Sequence, residues 1–201
     1  MAVALNRSRM RDTRFIGLLT LLVVLCTRPV IGEDTELHEV MEWFGYVLVV
    51  AGAFGRIWCT AYIGGWKTDR LVTDGPYSIM RNPLYLFSII TALGIAWITA
   101  HVVLIVAALV LLPALYVAAV RREEGYLKAE FGPRYEHYLS TVPRWLPNVA
   151  LYASSQVIEI KPRFLLFAFR DAIWLLVAFP AIELIEHLHS IHWLPTLATF
   201  W

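Results

Sequence analysis

The chain has 201 residues, 59% of them hydrophobic and 16% charged, with a mean hydropathy of +0.61. Soluble domains average nearer half apolar and a quarter charged, so water is excluded as the main solvent of this fold. A formal net charge of +1 carries no basic excess that would point to nucleic acid as a partner. Backbone amides in hydrocarbon must bond within their own segment, so long apolar runs without alternation predict helices. The expected fold is therefore all-α and polytopic, a single membrane domain over residues 1–201 with the lipid bilayer as its partner.

The first apolar run, Phe15 to Ile31, follows Arg7, Arg9, Arg11 and Arg14. These arginines look like the start of a signal peptide, but no small-residue cleavage site follows, so the run predicts a retained first helix near the minimum span of about 17 residues. A second run extends from about Val40 to Ile63, with Gly45, Ala51, Gly52 and Gly55 at helical spacing, where small residues let a neighbouring backbone approach. Arg56 lies about two turns from its end, within reach of the interface or of a pocket. From Leu84 to Val120 the chain is almost free of charge for longer than one crossing needs, which predicts two spans joined by a tight turn around Thr99, Ala100 and His101. A fifth span is expected from Phe164 to about Ile185, after which the stretch from Glu186 to Trp201 is too polar and too short to cross again. That makes about five transmembrane helices. Cys26 and Cys59 fall toward opposite faces of the bilayer in this arrangement, too far apart for a disulfide.

Lys and Arg gather at the N-terminus, in the loop with Lys67, Arg70 and Arg81, and between Arg121 and Arg163. With five spans all three regions share one side, which the positive-inside rule makes cytoplasmic. Two segments on that side, 67–85 and 121–147, are richer in specific residues than linkers require. In the first, Gly75 and Pro76 predict a turn, and Pro83 opens the next helix where its missing amide costs nothing. The helix start at Asn82 to Tyr85, flanked by Arg81, offers donors and positive potential to a carboxylate. In the second, Leu127, Phe131, Tyr135, Tyr138 and Val142 recur at helical spacing, predicting two short amphipathic helices broken by Gly132 and Pro133.

The first segment reads G-P-Y-S-I-M-R-N-P-L-Y from Gly75 to Tyr85. In the second, Glu123, Glu124, Leu127, Phe131, Gly132, Tyr135, Tyr138, Val142, Pro143, Arg144 and Pro147 form a spaced pattern. The pair, in this order and separated by one helical hairpin, resembles the isoprenylcysteine carboxyl methyltransferase and phospholipid methyltransferase superfamily of integral membrane enzymes. The resemblance covers roughly Gly52 to Pro147. It implies S-adenosylmethionine as cofactor, bound between the two segments near the cytoplasmic face, and a lipophilic or membrane-partitioned acceptor: a prenylcysteine-like carboxylate, a phospholipid amine or a thiol. It further implies that Arg70, Leu71, Val72, Tyr77, Asn82, Pro83, Leu84, Tyr85 and Glu123 contact the cofactor. By charge alone, the paired carboxylates of Glu123 and Glu124 can hold its cation and amino group and Arg81 its carboxylate, which makes Arg81 and Glu124 the catalytic candidates.

Two positions depart from the family pattern. Many members have His where this chain has Asn82. Members acting on prenylcysteine carry a substrate-facing Arg four residues before the equivalent of Glu123, where this chain has Ala119. Arg121 or Arg122 could contact substrate in its stead only by reaching from another face of the helix.

The chemistry has a physical logic of its own. Methyl transfer from a sulfonium to an anion neutralises charge along the path, so a dry membrane pocket that aligns the partners favours it. Glu183, Glu186, His187, His189 and His192 invite a metal reading, but no second segment converges on them to complete a ligand set, and no metal is expected. Two other classes compete with a methyltransferase. One is an NADPH-dependent membrane reductase related to sterol reductases, which share a similar C-terminal pattern. The other is a non-catalytic membrane protein of the same fold.

Overall fold

The computed structural model describes residues 24–25, 27–29, 35–66, 69–191, 193 and 198–200. Helix α1 spans Glu36–Ile63. The Thr35 side chain accepts a hydrogen bond from the His38 amide, and Glu36 and Glu39 lie in the first turn, so the start is capped and matched to the helix dipole. A single turn, α2, covers Pro76–Ile79, and α3 runs over Pro83–Ile98. Both open on proline, whose fixed φ suits a first helical position. Thr99, Ala100 and His101 then reverse the chain, as the sequence predicts, with Ala100 at φ 48°. Helix α4 occupies Val102–Phe131, α5 Pro133–Thr141 and α6 Pro162–Ser190.

Two expectations change in the details. The segment holding Leu127 and Phe131 is no separate short helix but the last turns of α4. Gly125 is the one helix-disfavouring residue in the Arg-, Glu- and Lys-containing stretch before Gly132, and a single glycine without a following proline is tolerated inside a helix, so the transmembrane helix continues. The predicted first helix lies mostly outside the described residues, but its expected end is not helical: Thr27–Pro29 forms strand β1, paired in parallel with strand β2, Ala198–Phe200. Pro29 lacks the amide a helix would use and biases Arg28 toward extended backbone. Apart from this minimal pair of strands the described fold is all-α.

The core is the seam between α1 and α3. A Cβ on Gly45 would lie 2.6 Å from the carbonyl oxygen of Gly94, and one on Gly94 would lie 2.6 Å from that of Gly45. The two backbones touch, which only glycine permits. Val49 and Ile98 close the seam against Ile182 of α6, while Met41 and Ala96 pack with Ala100 and Ile105 at the turn into α4. The outward faces carry large apolar side chains through the middle of each long helix: Val47 and Phe54 on α1, Val106 and Leu111 on α4, Leu166 and Trp174 on α6 are all exposed. Among the described residues three helices, α1, α4 and α6, are long and apolar enough to cross a bilayer, and α3 is a shorter apolar helix. An apolar surface this extensive needs lipid against it, so the chain is a polytopic membrane protein.

Beyond the spans, α5 folds back. Tyr135, Tyr138 and Val142 pack with Leu71, Leu127 and Phe131 into a small separate core. This core binds the loop before α3 to the end of α4.

Candidate active site

The loop from Gly64 to Asn82 is fixed at several points. Gly75 has φ 60°, and a side chain there would strike the ring of Tyr62, so both the backbone and the space require glycine. Its amide donates to the Ala153 carbonyl at 2.7 Å, and the Ala153 amide donates to the Ser78 hydroxyl at 3.0 Å. The Tyr138 hydroxyl donates to the Tyr77 carbonyl at 2.7 Å, and the Arg81 amide donates to the Pro143 carbonyl at 2.9 Å. The loop before α3 is thereby laced to α5 and to the chain that follows it.

This lacing brings the two motif segments together. Arg81 Nη1 lies 3.1 Å from Glu124 Oε1 although 43 residues separate them. Arg144 completes the cluster, with Nη2 at 2.7 Å from Glu124 Oε2 and Nε at 3.2 Å from Oε1. Glu124 is buried, so two guanidinium groups are what makes an ionised carboxylate tolerable there. One residue earlier, Glu123 Oε2 accepts a 2.6 Å hydrogen bond from the Tyr85 hydroxyl, and the Tyr85 ring lies 5.2 Å from that of Tyr116. The Asn82 side-chain amide caps nothing in α3 and donates instead to the Arg144 carbonyl at 3.3 Å.

Two buried polar atoms at this convergence have no hydrogen-bond partner among the described residues: Arg81 Nε and the Tyr77 hydroxyl oxygen. Buried polar groups are nearly always satisfied, so this pair has spare hydrogen-bonding capacity for a polar ligand. Burial raises the Tyr77 phenol well above its ordinary pKa, with Glu123 and Tyr85 among the groups acting on it. It stays a neutral donor across physiological pH. An open cavity of about 590 Å³ adjoins the cluster, lined by Arg81, Val142, Pro143, Leu146, Pro147 and Asn148 among others.

The remaining candidates divide. Pro83 is buried, Leu84 and Val72 are half-buried, and Leu71 packs on the α5 core. Arg70 is turned away from the cluster, with its guanidinium carbon 4.2 Å from the centre of the Trp66 ring and Nη1 4.0 Å from Glu159. Arg121 and Arg122 lie on the exposed flank of α4, and Arg122 Nε donates back to the Ala118 carbonyl at 3.2 Å. The fold does not bring them to Glu124, because buried Val120 and Glu124 define a different face of the helix. Arg144 is a site residue that the sequence marks only by its place in the V-P-R triplet of the second segment. Among the described residues no three or more His, Cys, Asp or Glu side chains gather as a metal site. The histidine and glutamate cluster near the chain's end falls partly outside those residues. Cys59 is buried and unbridged, and Cys26 lies outside the described residues.

Residues 40–134 match the family model for phospholipid methyltransferases. Among relatives, the chain is 28% identical over 175 residues to the nickel-cobalt-cadmium resistance protein NccN of Alcaligenes xylosoxydans xylosoxydans, covering 87% of this chain and 82% of that protein. It is 28% identical over 158 residues to the cobalt-zinc-cadmium resistance protein CzcN of Cupriavidus metallidurans, covering 79% and 73% of the two chains. Over 83 residues it is 35% identical to the protein-S-isoprenylcysteine O-methyltransferase of Schizosaccharomyces pombe, a match spanning 41% of this chain and 35% of the enzyme. No solved structure matches the chain.

Proposed function

Because residues 40–134 place the chain in the superfamily of isoprenylcysteine and phospholipid methyltransferases, we propose that it transfers a methyl group from S-adenosylmethionine to an acceptor dissolved in the membrane, at a site near the cytoplasmic face. The observation that carries this reading is the meeting of Arg81 with Glu124 beside the Tyr85 to Glu123 bond. Two segments remote in sequence present a guanidinium, a carboxylate and a buried phenol to one place.

When bound, the cofactor supplies an electrophilic methyl on a cationic sulfur. The residues present suit its two charges. Arg81, held by Glu124 and with Nε left over, takes the carboxylate. Glu123, oriented by Tyr85, accepts from the cationic portion. The Tyr77 hydroxyl donates to a polar atom between them, while Leu71, Val72, Asn82, Pro83 and Leu84 shape the surrounding wall and Arg70, held on Trp66 and Glu159, takes no part. Glu124 and Arg144 act as positioning residues, since both oxygens of Glu124 are already engaged. Burial of Tyr77, Tyr85 and Glu124 lowers the local dielectric, so the charges on ligand and protein interact more strongly than in bulk water.

The test is ligand binding in detergent. S-adenosylmethionine and its demethylated product should raise the melting temperature of the purified protein and NADPH should not. Arg81→Ala and Glu123→Ala should each weaken cofactor binding on the order of a hundredfold, because each leaves a ligand charge unpaired in a poorly hydrated site. The double variant should lose less than the sum of the two, since both contact one ligand. Glu183→Ala, on α6, should bind as wild type does. Wild-type affinity in both single variants would overturn the proposal.

A further inference from the structure

Arg56 lies within α1, seven residues before its end at Ile63, or roughly 10 Å along the axis. An arginine at that depth can run its side chain out to the interface. This one turns sideways instead: Nη1 donates to the Ser88 hydroxyl on α3, which itself donates to the Leu84 carbonyl. The glycine contacts between α1 and α3 fix the two helices in register, so the guanidinium is held at Ser88. Among the described residues no carboxylate pairs with Arg56. One of the five N–H donors of a guanidinium is engaged and the charge is uncompensated. Ionisable groups inside a membrane that lack a counter-charge mark ligand or ion pathways, because an unpaired charge there is costly.

Two independent routes connect this cation to the proposed active site. On α3, Ser88 sits three residues after Tyr85, which places it on the same face one turn further in, and Tyr85 holds Glu123. On α1, Cys59 lies one turn after Arg56 and within electrostatic range of both Arg56 and Tyr77. Arg56 is thus about one turn from the Tyr77, Tyr85 and Glu123 group, on the side toward the membrane interior. The position four residues before Glu123 is Ala119 and supplies no cation.

We propose that Arg56 and Ser88 form the headgroup site for an anionic amphiphile that enters from the bilayer, and that this amphiphile is the methyl acceptor. The anion site stands on the geometry of α1 and α3; its role as acceptor site rests on the methyltransferase reading. The lone pair of the acceptor's anionic oxygen or sulfur forms a bond to the methyl carbon while the carbon–sulfur bond of the donor breaks and its electron pair stays on sulfur. No proton moves, and a cation and an anion become two neutral products. The methylated headgroup then has no charge for Arg56 to hold and partitions back into lipid, so one cation both recruits the acceptor and releases the product.

The experiment uses the full chain in neutral detergent with a photoreactive long-chain fatty acid and, in parallel, its methyl ester. Labelled peptides are mapped, and S-adenosylmethionine affinity is measured on the same samples. The acid should label the peptides around Arg56 and Ser88 at least tenfold more than the ester. Arg56→Met should reduce acid labelling to the level of the ester, Arg56→Lys should keep part of it, and cofactor affinity should be unchanged in both. Equal labelling by acid and ester, or wild-type acid labelling in Arg56→Met, overturns the site. If Arg56→Met does not fold, the acid-to-ester ratio in wild type and in Ser88→Ala decides: the ratio should fall in Ser88→Ala, and a ratio of one in wild type overturns the proposal. Acid labelling that depends on Arg56 in a protein that binds no S-adenosylmethionine would keep the anion site and remove the transferase reading. The opposite pattern would do the reverse.

Discussion

Glu124 and Glu42 are carboxylates withdrawn from solvent at opposite ends of the helical bundle, with side chains 10% and 14% exposed. Their surroundings differ. Glu124 is gripped at 3.1 Å by Arg81 from the loop before α3 and at 2.7 Å by Arg144 from the chain after α5. Glu42 faces His38 one turn away on the same helix, at 3.7 Å, and its Oε1 has no hydrogen bond among the described residues. Glu183 and Glu39 lie within electrostatic range of it. A carboxylate whose partners come from two segments remote from its own helix ties the fold together where the three meet. One whose nearest partner is i,i+4 on its own helix ties nothing that the helix does not already fix.

The same substitution at the two positions separates them. Glu124→Gln should be the more damaging, because it leaves Arg81 and Arg144 facing a neutral amide. We expect a loss of about 3 kcal/mol, at the low end for breaking a buried pair, since the Arg144 side chain is 42% exposed and can rehydrate. The loss should be read as a lower melting temperature in detergent together with weakened S-adenosylmethionine binding, since Arg81 would no longer be held. A variant that melts and binds as wild type does would show that the cluster ties nothing.

Tyr138→Phe probes the same end of the bundle more gently. It removes the hydrogen bond to the Tyr77 carbonyl, worth about 1 kcal/mol. The substitution also carries a pH signature. Burial raises the phenols of Tyr77, Tyr135 and Tyr138 above the ordinary value of 10.0 in the folded protein. Above pH 10 the unfolded chain therefore loses these protons before the folded one does. Their contribution is complete below that pH and lost as pH rises through the folded values. Thermal stability should be level from pH 7 to 9 and fall beyond 10. The fall should be shallower in Tyr138→Phe by up to about 1.4 kcal/mol per pH unit, one phenol's share. An identical alkaline slope in the two proteins would remove Tyr138 from the set.

The same contrast explains what could be read from the sequence. Spans show in sequence because hydropathy is local: the runs ending at Ile63 and beginning at Leu84, and the turn at Thr99 to His101, coincide with α1, α3 and the connection from α3 to α4. The continuation of α4 through Phe131 was harder to see, because an amphipathic pattern looks alike whether it starts a new helix or extends an old one. At the site, motif spacing identified Arg81, Glu123 and Glu124 as candidates. Which of them pair with one another depends on how α5 folds back, and no local pattern encodes that. Hence no role for Arg144 is legible in the sequence, and the spacing that marks Glu124 as a ligand contact does not show that both its oxygens are occupied by arginines. Arg56 was ambiguous for a related reason, since a side chain long enough to snorkel is also long enough to reach Ser88.

The smallest effect belongs to Glu42→Gln. Glutamine keeps the shape and removes the charge, and the wild-type Oε1 atom has no hydrogen bond to lose. What disappears is an attraction to His38 at 3.7 Å, which is an ion pair only when the imidazole is protonated. What is relieved is repulsion from Glu183 and Glu39 and the cost of holding a charge away from water. These contributions oppose one another, so stability should change by no more than about 0.5 kcal/mol, and S-adenosylmethionine binding at the far end of the bundle should not change at all. The measurement is thermal unfolding in the same detergent as Glu124→Gln, so that the two substitutions differ only in place. A destabilisation by Glu42→Gln as large as that of Glu124→Gln would mean that the His38 contact ties more than one helix. The distinction between a carboxylate that joins segments and one that merely sits beside a neighbour would then fail.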